Sequence, residues 1–307
     1  MTFTNQDWID SYNNLSDLQK NVLRANLDYP KNGTVYFVDG NSGDDTNEGT
    51  LGWEAPLKTL EAAFTASHAD IARGSDRWAR RNTIYVAGDS FEEDLIILPQ
   101  KTDVIGVGSY NGHSGPNILG NHVPANAGFG CRFFNVNFEP VAADDIFTLT
   151  GVTWGFELHK CTFRASGTLV AVSAVDMTAV PHTRIIGCRF LGGFTGDVID
   201  IGAGAVDDII IRGNEILGGD NDGIIVTGTT TVTAKRTALI ADNYIQVDNV
   251  TIDDGADGTF NVVNNRCISA GALGTTSHVI TVAMASGNIV TGNGVQISVP
   301  AMTGVGA

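Results

Sequence analysis

Residues 183–190 read TRIIGCRF, 208–216 read DIIIRGNEI, 237–245 read TALIADNYI and 259–267 read TFNVVNNRC. Each is a short apolar burst closed by a small polar residue, or by Cys, near a second apolar position. Followed outward, this closing position becomes a ladder of Cys161, Cys188, Asn214, Asn243, Asn265 and Asn288, spaced by 27, 26, 29, 22 and 23 residues. Two places after most rungs stands an apolar residue: Phe163, Phe190, Ile216, Ile245 and Val290. A repeat of this length, built from strand-sized bursts and Asn or Gly corners without a helical stripe, predicts an all-β coiled solenoid. Asn at the rung has a structural cause, since an inward Asn at a tight corner can bond the Asn of the next coil and satisfy turn backbone groups. Cysteines at the same position are expected as small buried residues stacked in the core.

Composition agrees with one elongated body. The 307 residues include 37 glycines, eight prolines and 43% apolar residues, which fits a turn-rich β-protein and excludes collagen-like or disordered classes. The net charge of −16, from 34 acidic and 18 basic residues, repels a phosphate backbone and argues against nucleic acid as partner. Residues 1–15 carry no basic region and no apolar run, and no stretch approaches the roughly 18 apolar residues of a membrane span, so neither a secretory signal nor a transmembrane segment is expected. Four cysteines are too few for a disulfide scaffold and include no CxxC pair for zinc.

Four segments follow. Residues 1–33 predict a helical arm, with Trp8, Tyr12, Leu15, Leu18 and Val22 returning at three- or four-residue intervals. The arm either folds back on the first coil or serves oligomerisation and docking. Residues 34–82 predict a strand (TVYFVD, 34–39), a polar loop and an amphipathic cap helix from about Pro56 to Ala72, placed to cover the apolar end of the solenoid. Residues 83–299 hold the coils, eight or nine by count, and 300–307 form a tail.

The runs YFVDGNSGDDTNEGTLGWEAPLKTLEAAF (36–64), NTIYVAGDSFEEDLIIL (82–98) and VIGVGSYNGHSGPNILG (104–120) resemble the opening of right-handed, single-stranded parallel β-helix proteins of the pectate-lyase-like superfamily. The resemblance covers roughly residues 34–120, and the ladder extends it to about residue 299. It implies the fold and leaves the chemistry open, because this superfamily includes lyases, hydrolases, esterases, phage tailspikes and noncatalytic surface proteins.

Two groups of residues are candidates for chemistry. Asp39, Asn41, Asp44, Asp45 and Asn47 cluster oxygen donors of the kind calcium requires, although no Glu closes an EF-hand and the same residues make turns. Asp197, Asp200, Asp220 and Asp222 fall on neighbouring coils, and Asp200 with Asp222 would form a carboxylate pair suited to glycoside hydrolysis. GDNDG (219–223) resembles the Asn-x-Asp motif of polygalacturonases, but no His-Gly and no Arg-x-Lys accompany it; the Arg-x-Pro-x-x-Arg of pectate lyases is missing as well. Six scattered histidines read as surface or corner residues, and Trp53, Trp78 and Trp154 as packing residues or sugar-stacking platforms.

Three functions compete on this basis. The leading expectation is a noncatalytic β-helix of a bacteriophage virion surface, tailspike-like or a head decoration, trimeric and docked to other virion proteins through residues 1–33. The alternative is a polysaccharide-degrading hydrolase or lyase, and the third an adhesin that binds a surface polysaccharide.

Overall fold

A computed structural model describes residues 33–73, 79–88, 90–108, 115–125, 128–165, 170–202, 208–226, 238–248, 252–253, 260–269, 284–286, 288–292 and 295–298. The expected arm, up to residue 32, and the tail lie outside the described residues.

The chain forms a parallel β-solenoid with three faces. The first sheet stacks ten strands: Val35–Asp39, Asn82–Ala87, Thr102–Gly106, Arg132–Phe134, Glu157–His159, Arg184–Ile186, Ile210–Arg212, Ala238–Ala241, Phe260–Val263 and Met284–Ser286. The second runs from Ser90–Glu92 through Asn117–Leu119, Asn137–Glu139, Thr162–Ala165, Arg189–Gly192, Glu215–Leu217, Tyr244–Val247 and Arg266–Ser269 to Ile289–Gly292. Its last strand, Val295–Ser298, turns back antiparallel on Ile289–Gly292 and so closes that edge. The third sheet has five strands: Phe147–Thr150, Val175–Thr178, Ile199–Ile201, Ile224–Val226 and Ile252–Asp253. Five coils therefore carry a strand on every face, fewer than the eight or nine counted from sequence. The remaining coils add described strands to the first two sheets alone.

Period-two alternation sets which side chains face inward. Phe138, Phe163, Phe190, Ile216 and Ile245 are fully buried in register along the second sheet. The Phe rings stack at 5.1 and 5.0 Å between centroids. Each such side chain contributes roughly 1.5–3 kcal/mol on burial, and the stack carries one hydrophobic core the length of the rod.

The bends depend on left-handed backbone. Before five of the first-sheet strands stand Lys101, Gly130, Gly155, His182 and Asp208, and after six of them Asn135, Lys160, Gly187, Gly213, Asp242 and Asn264, all with φ between +45° and +72°. Only Gly, and less often Asn or Asp, adopts this conformation at low cost. After the second bend, the N–H of Asn135, Lys160, Gly187, Gly213 and Asp242 donates to a carbonyl of the following coil, so the corners are stitched one to the next.

The ladder begins one residue later. Asn214 Nδ2 donates to Ile185 O in one neighbouring coil and to Asn243 Oδ1 in the other, and that same Oδ1 also accepts the Asn214 backbone N–H. Asn243 and Asn265 repeat the pattern toward Asn265 and Asn288. Every polar atom of these buried amides is satisfied, at about 1 kcal/mol net per bond. Cys131, Cys161, Cys188 and Cys267 are buried thiols, none of them joined in a disulfide.

A helix, α1 (Leu60–Arg73), packs Leu60, Ala63, Phe64 and Ile71 into the core at the N-terminal end. Its Phe64 ring meets Phe133 edge-on at 6.1 Å. The helix starts later than the expected Pro56 because Leu57 bridges to Val38 in a strand-like way. Thr59 then caps it, its Oγ1 accepting the Ala62 N–H.

Candidate functional site

The loop proposed for calcium is a set of side-chain-closed turns. Asp39 Oδ1 accepts the N–H groups of Asn41 and Ser42, and its Oδ2 accepts the Ser42 hydroxyl at 2.5 Å. The Ser42 hydroxyl bond above all holds the Asp39 carboxyl below its ordinary range. Asp44 Oδ1 accepts the N–H and hydroxyl of Thr46, which lowers its carboxyl too. Asp45 accepts the N–H groups of Lys58 and Thr59 and the Thr59 hydroxyl, tying the loop to the start of α1. Asn47 donates to Pro56 O. Among the described residues no group of three or more His, Cys, Asp or Glu side chains is placed to hold a metal ion.

The four aspartates proposed for catalysis separate. Asp197 is a corner residue: its Oδ1 accepts the Asn221 side-chain amide at 2.7 Å and the Asp222 backbone N–H at 3.1 Å. Asp145 performs the same task two coils earlier, accepting the Ser173 N–H. Asp222 is buried, its carbonyl accepting the Val198 N–H. Asp220 is exposed. The expected pair of Asp200 with Asp222 does not form, because inward-facing Ile199 is in register with Ile224 and Asp200 thus falls beside Ile225.

Asp200 instead has a partner that sequence spacing did not nominate. On the outward face of the third sheet it is in register with Asp176, which is in register with Thr148. In-register neighbours of a parallel sheet stand about 4.8 Å apart. Burial, then the charges of Asp176, Asp197 and Asp145, pushes the Asp200 carboxyl up to about 6. Burial and Asp145 raise Asp176 as well, and burial raises Asp145 itself. Asp200 Oδ1 is buried and has no hydrogen-bond partner, a state suited to a protonated carboxyl. The signal in the sequence was the 24-residue spacing of Asp176 and Asp200, visible only once the inward rows are aligned.

The tryptophans pack on other rings. Trp53 meets Phe37 edge-on at 5.0 Å, and Trp154 lies flat on Phe129 at 5.0 Å with 9° between planes, Lys101 Nζ standing 5.8 Å from the Phe129 centroid. Trp78 lies outside the described residues. His159 ends a first-sheet strand near Glu157 and His182 sits at a corner near Asp208, whereas His122 is fully buried. A surface depression of about 460 Å³ runs along α1, lined by Asp45, Thr59, Glu61, Ala62 and Thr65, and shares no residue with the carboxylate row. No helix among the described residues is long and apolar enough to cross a membrane. No protein-family model, curated protein or solved structure matches this chain, so its chemistry has to be read from its own residues.

Proposed function

We propose that the chain is a noncatalytic structural rod of a bacteriophage surface, tailspike-like or a head decoration, assembled as a trimer. The observation that carries this is the engagement of Asp197, one of the four aspartates proposed for catalysis, and of its equivalent Asp145: both accept backbone N–H groups of the next coil. Acids used in this way build the coil-to-coil joint, and the continuous Asn ladder supports the rigidity such a rod needs. Two measurements test the proposal on the full chain. Light scattering is expected to give three times the monomer mass, and purified virus particles from the source sample are expected to contain the chain in stoichiometric copy. A chain present in the lysate but absent from the particles overturns it.

A second reading, a polysaccharide hydrolase or lyase, is favoured by the Asp176 and Asp200 pair with its raised carboxyls. Their strands stand about 4.8 Å apart, a backbone spacing close to the roughly 5–5.5 Å between the carboxyls of retaining glycosidases. Release of reducing ends from bacterial surface polysaccharides, lost by at least about a hundredfold in Asp200→Asn with the fold intact, would establish it. Binding without cleavage would point to an adhesin.

A further inference from the structure

We infer that His122 is an acid-operated latch joining the 93–98 segment to the third sheet. The backbone of His122 begins that sheet: its N–H donates to Ile146 O at 2.7 Å, and the Thr148 N–H donates to its carbonyl at 2.9 Å. Its ring reaches the other way. The Leu95 N–H donates to His122 Nδ1 at 3.1 Å, which fixes the neutral ring with its proton on Nε2, and Nε2 is buried without a partner. The ring is wedged between Phe138 and Phe147, with centroids at 5.7 and 4.7 Å. Gly120 makes the room, since a Cβ there would stand 2.7 Å from the imidazole Cε1.

A second proton undoes this arrangement. Nδ1 of an imidazolium cannot accept the Leu95 N–H, and the charge would stand in an apolar wedge. Burial accordingly holds the ring's pKa down at about 3. The charged groups on the packed elements are all acidic: Glu93 and Asp94 on the segment, Glu139 beside Phe138, and Asp144 and Asp145 before Phe147. Glu93 is engaged at the start of α1, accepting the Leu60 and Glu61 N–H groups, Glu139 pairs with Arg164, and Asp145 holds Ser173. Asp94 is exposed; its Oδ1 accepts the Asn121 N–H at 2.9 Å and would lie 2.8 Å from the same Gly120 Cβ, so with its second oxygen it is the carboxylate toward which a protonated ring can turn. That turn breaks the bond to Leu95 and frees a segment that Glu93 ties to the helix.

The direction follows from the depressed pKa. Closure of the latch is fully stable above the ordinary histidine value of about 6.5 and is lost as pH falls toward 3. Burial raises the carboxyls of Glu93, Asp145, Asp176 and Asp200, which take up protons in the folded state and act in the opposite sense. Local opening, not overall melting, is therefore the readout.

Hydrogen–deuterium exchange of the full chain, corrected for intrinsic rates, tests the latch between pH 7 and pH 5. Exchange across 93–98 is expected to rise by at least about tenfold while peptides across 208–217 stay unchanged, and His122→Gln is expected to abolish the rise. Asp94→Asn should weaken it several-fold. A response absent in the wild type, or retained in His122→Gln, overturns the latch. If that variant does not fold, ¹⁵N NMR of the wild-type ring, carried down from pH 5 toward pH 3, decides: protonation that tracks the opening of 93–98 supports the inference, and a segment that opens fully while the ring stays neutral refutes it.

Discussion

The outward faces of the first and third sheets solve the same problem in opposite ways. On the first, charges alternate from coil to coil. Arg81 and Arg132 both bond Asp103, at 2.9 and 2.6 Å, Arg184 reaches Glu157 and Asp208, and His159 adds to Glu157 at 2.8 Å. Burial works against the Glu157 charge, but His159, Arg132 and Arg184 together hold its carboxyl below the ordinary range. On the third sheet the corresponding row is Thr148, Asp176, Asp200, Ile225 and Asp253, and no cation stands in register with Asp176 or Asp200. Stacking in register at about 4.8 Å amplifies whatever a column contains: opposite charges neutralise, and like charges compete for a proton.

The largest expected effect breaks the first column. Asp103→Ala leaves two half-buried guanidinium groups without their shared acceptor and should destabilise the rod by about 2–3 kcal/mol in chemical denaturation. Next, Asp200→Asn should relieve the third. The folded pKa of about 6 stands above the ordinary 3.8, so the wild type loses this contribution as pH rises through about 6. The variant should then be more stable by about 1 kcal/mol at pH 8, after allowance for solvent screening, and no more stable at pH 4. A gain at pH 4 equal to that at pH 8 would mean that charge is not the cause. The smallest change makes the third column resemble the first. Ile225→Arg places a cation in register with Asp200 and should stabilise by about 0.5 kcal/mol at low salt, a gain that fades at high salt.

Much of the fold was legible because the ladder position is itself a folding device. Asn214, Asn243 and Asn265 announce the coil, and the apolar residues two places on face the core as expected. The left-handed corners were legible too, in the Gly, Asp or Asn that precedes most rungs, but Lys160 and His182 take the same conformation without advertising it. The site was harder. Spacing alone set Asp200 against Asp222, whereas the inward rows of Ile and Val fix the alignment at 25 residues, so that Asp222 meets Asp197. For the acids of the 39–47 loop the sequence left turn and calcium site side by side, because a turn-closing carboxylate and a metal-binding one use the same oxygens. Glu93 escaped notice as a helix cap because its partners, Leu60 and Glu61, lie more than thirty residues earlier.

The stitched corners also make the molecule modular. Between one left-handed residue and its equivalent, Gly187 and Gly213 for instance, the chain leaves and returns to the same place on the prism, one layer further along. Removing such an interval whole, residues 188–213, joins two ends that already stand one above the other and presents Asn214 to the Cys161 layer. The rod can thus be shortened or lengthened by duplication in increments of about 4.8 Å, like a ruler with one graduation per coil, without any surviving side chain changing the face on which it stands.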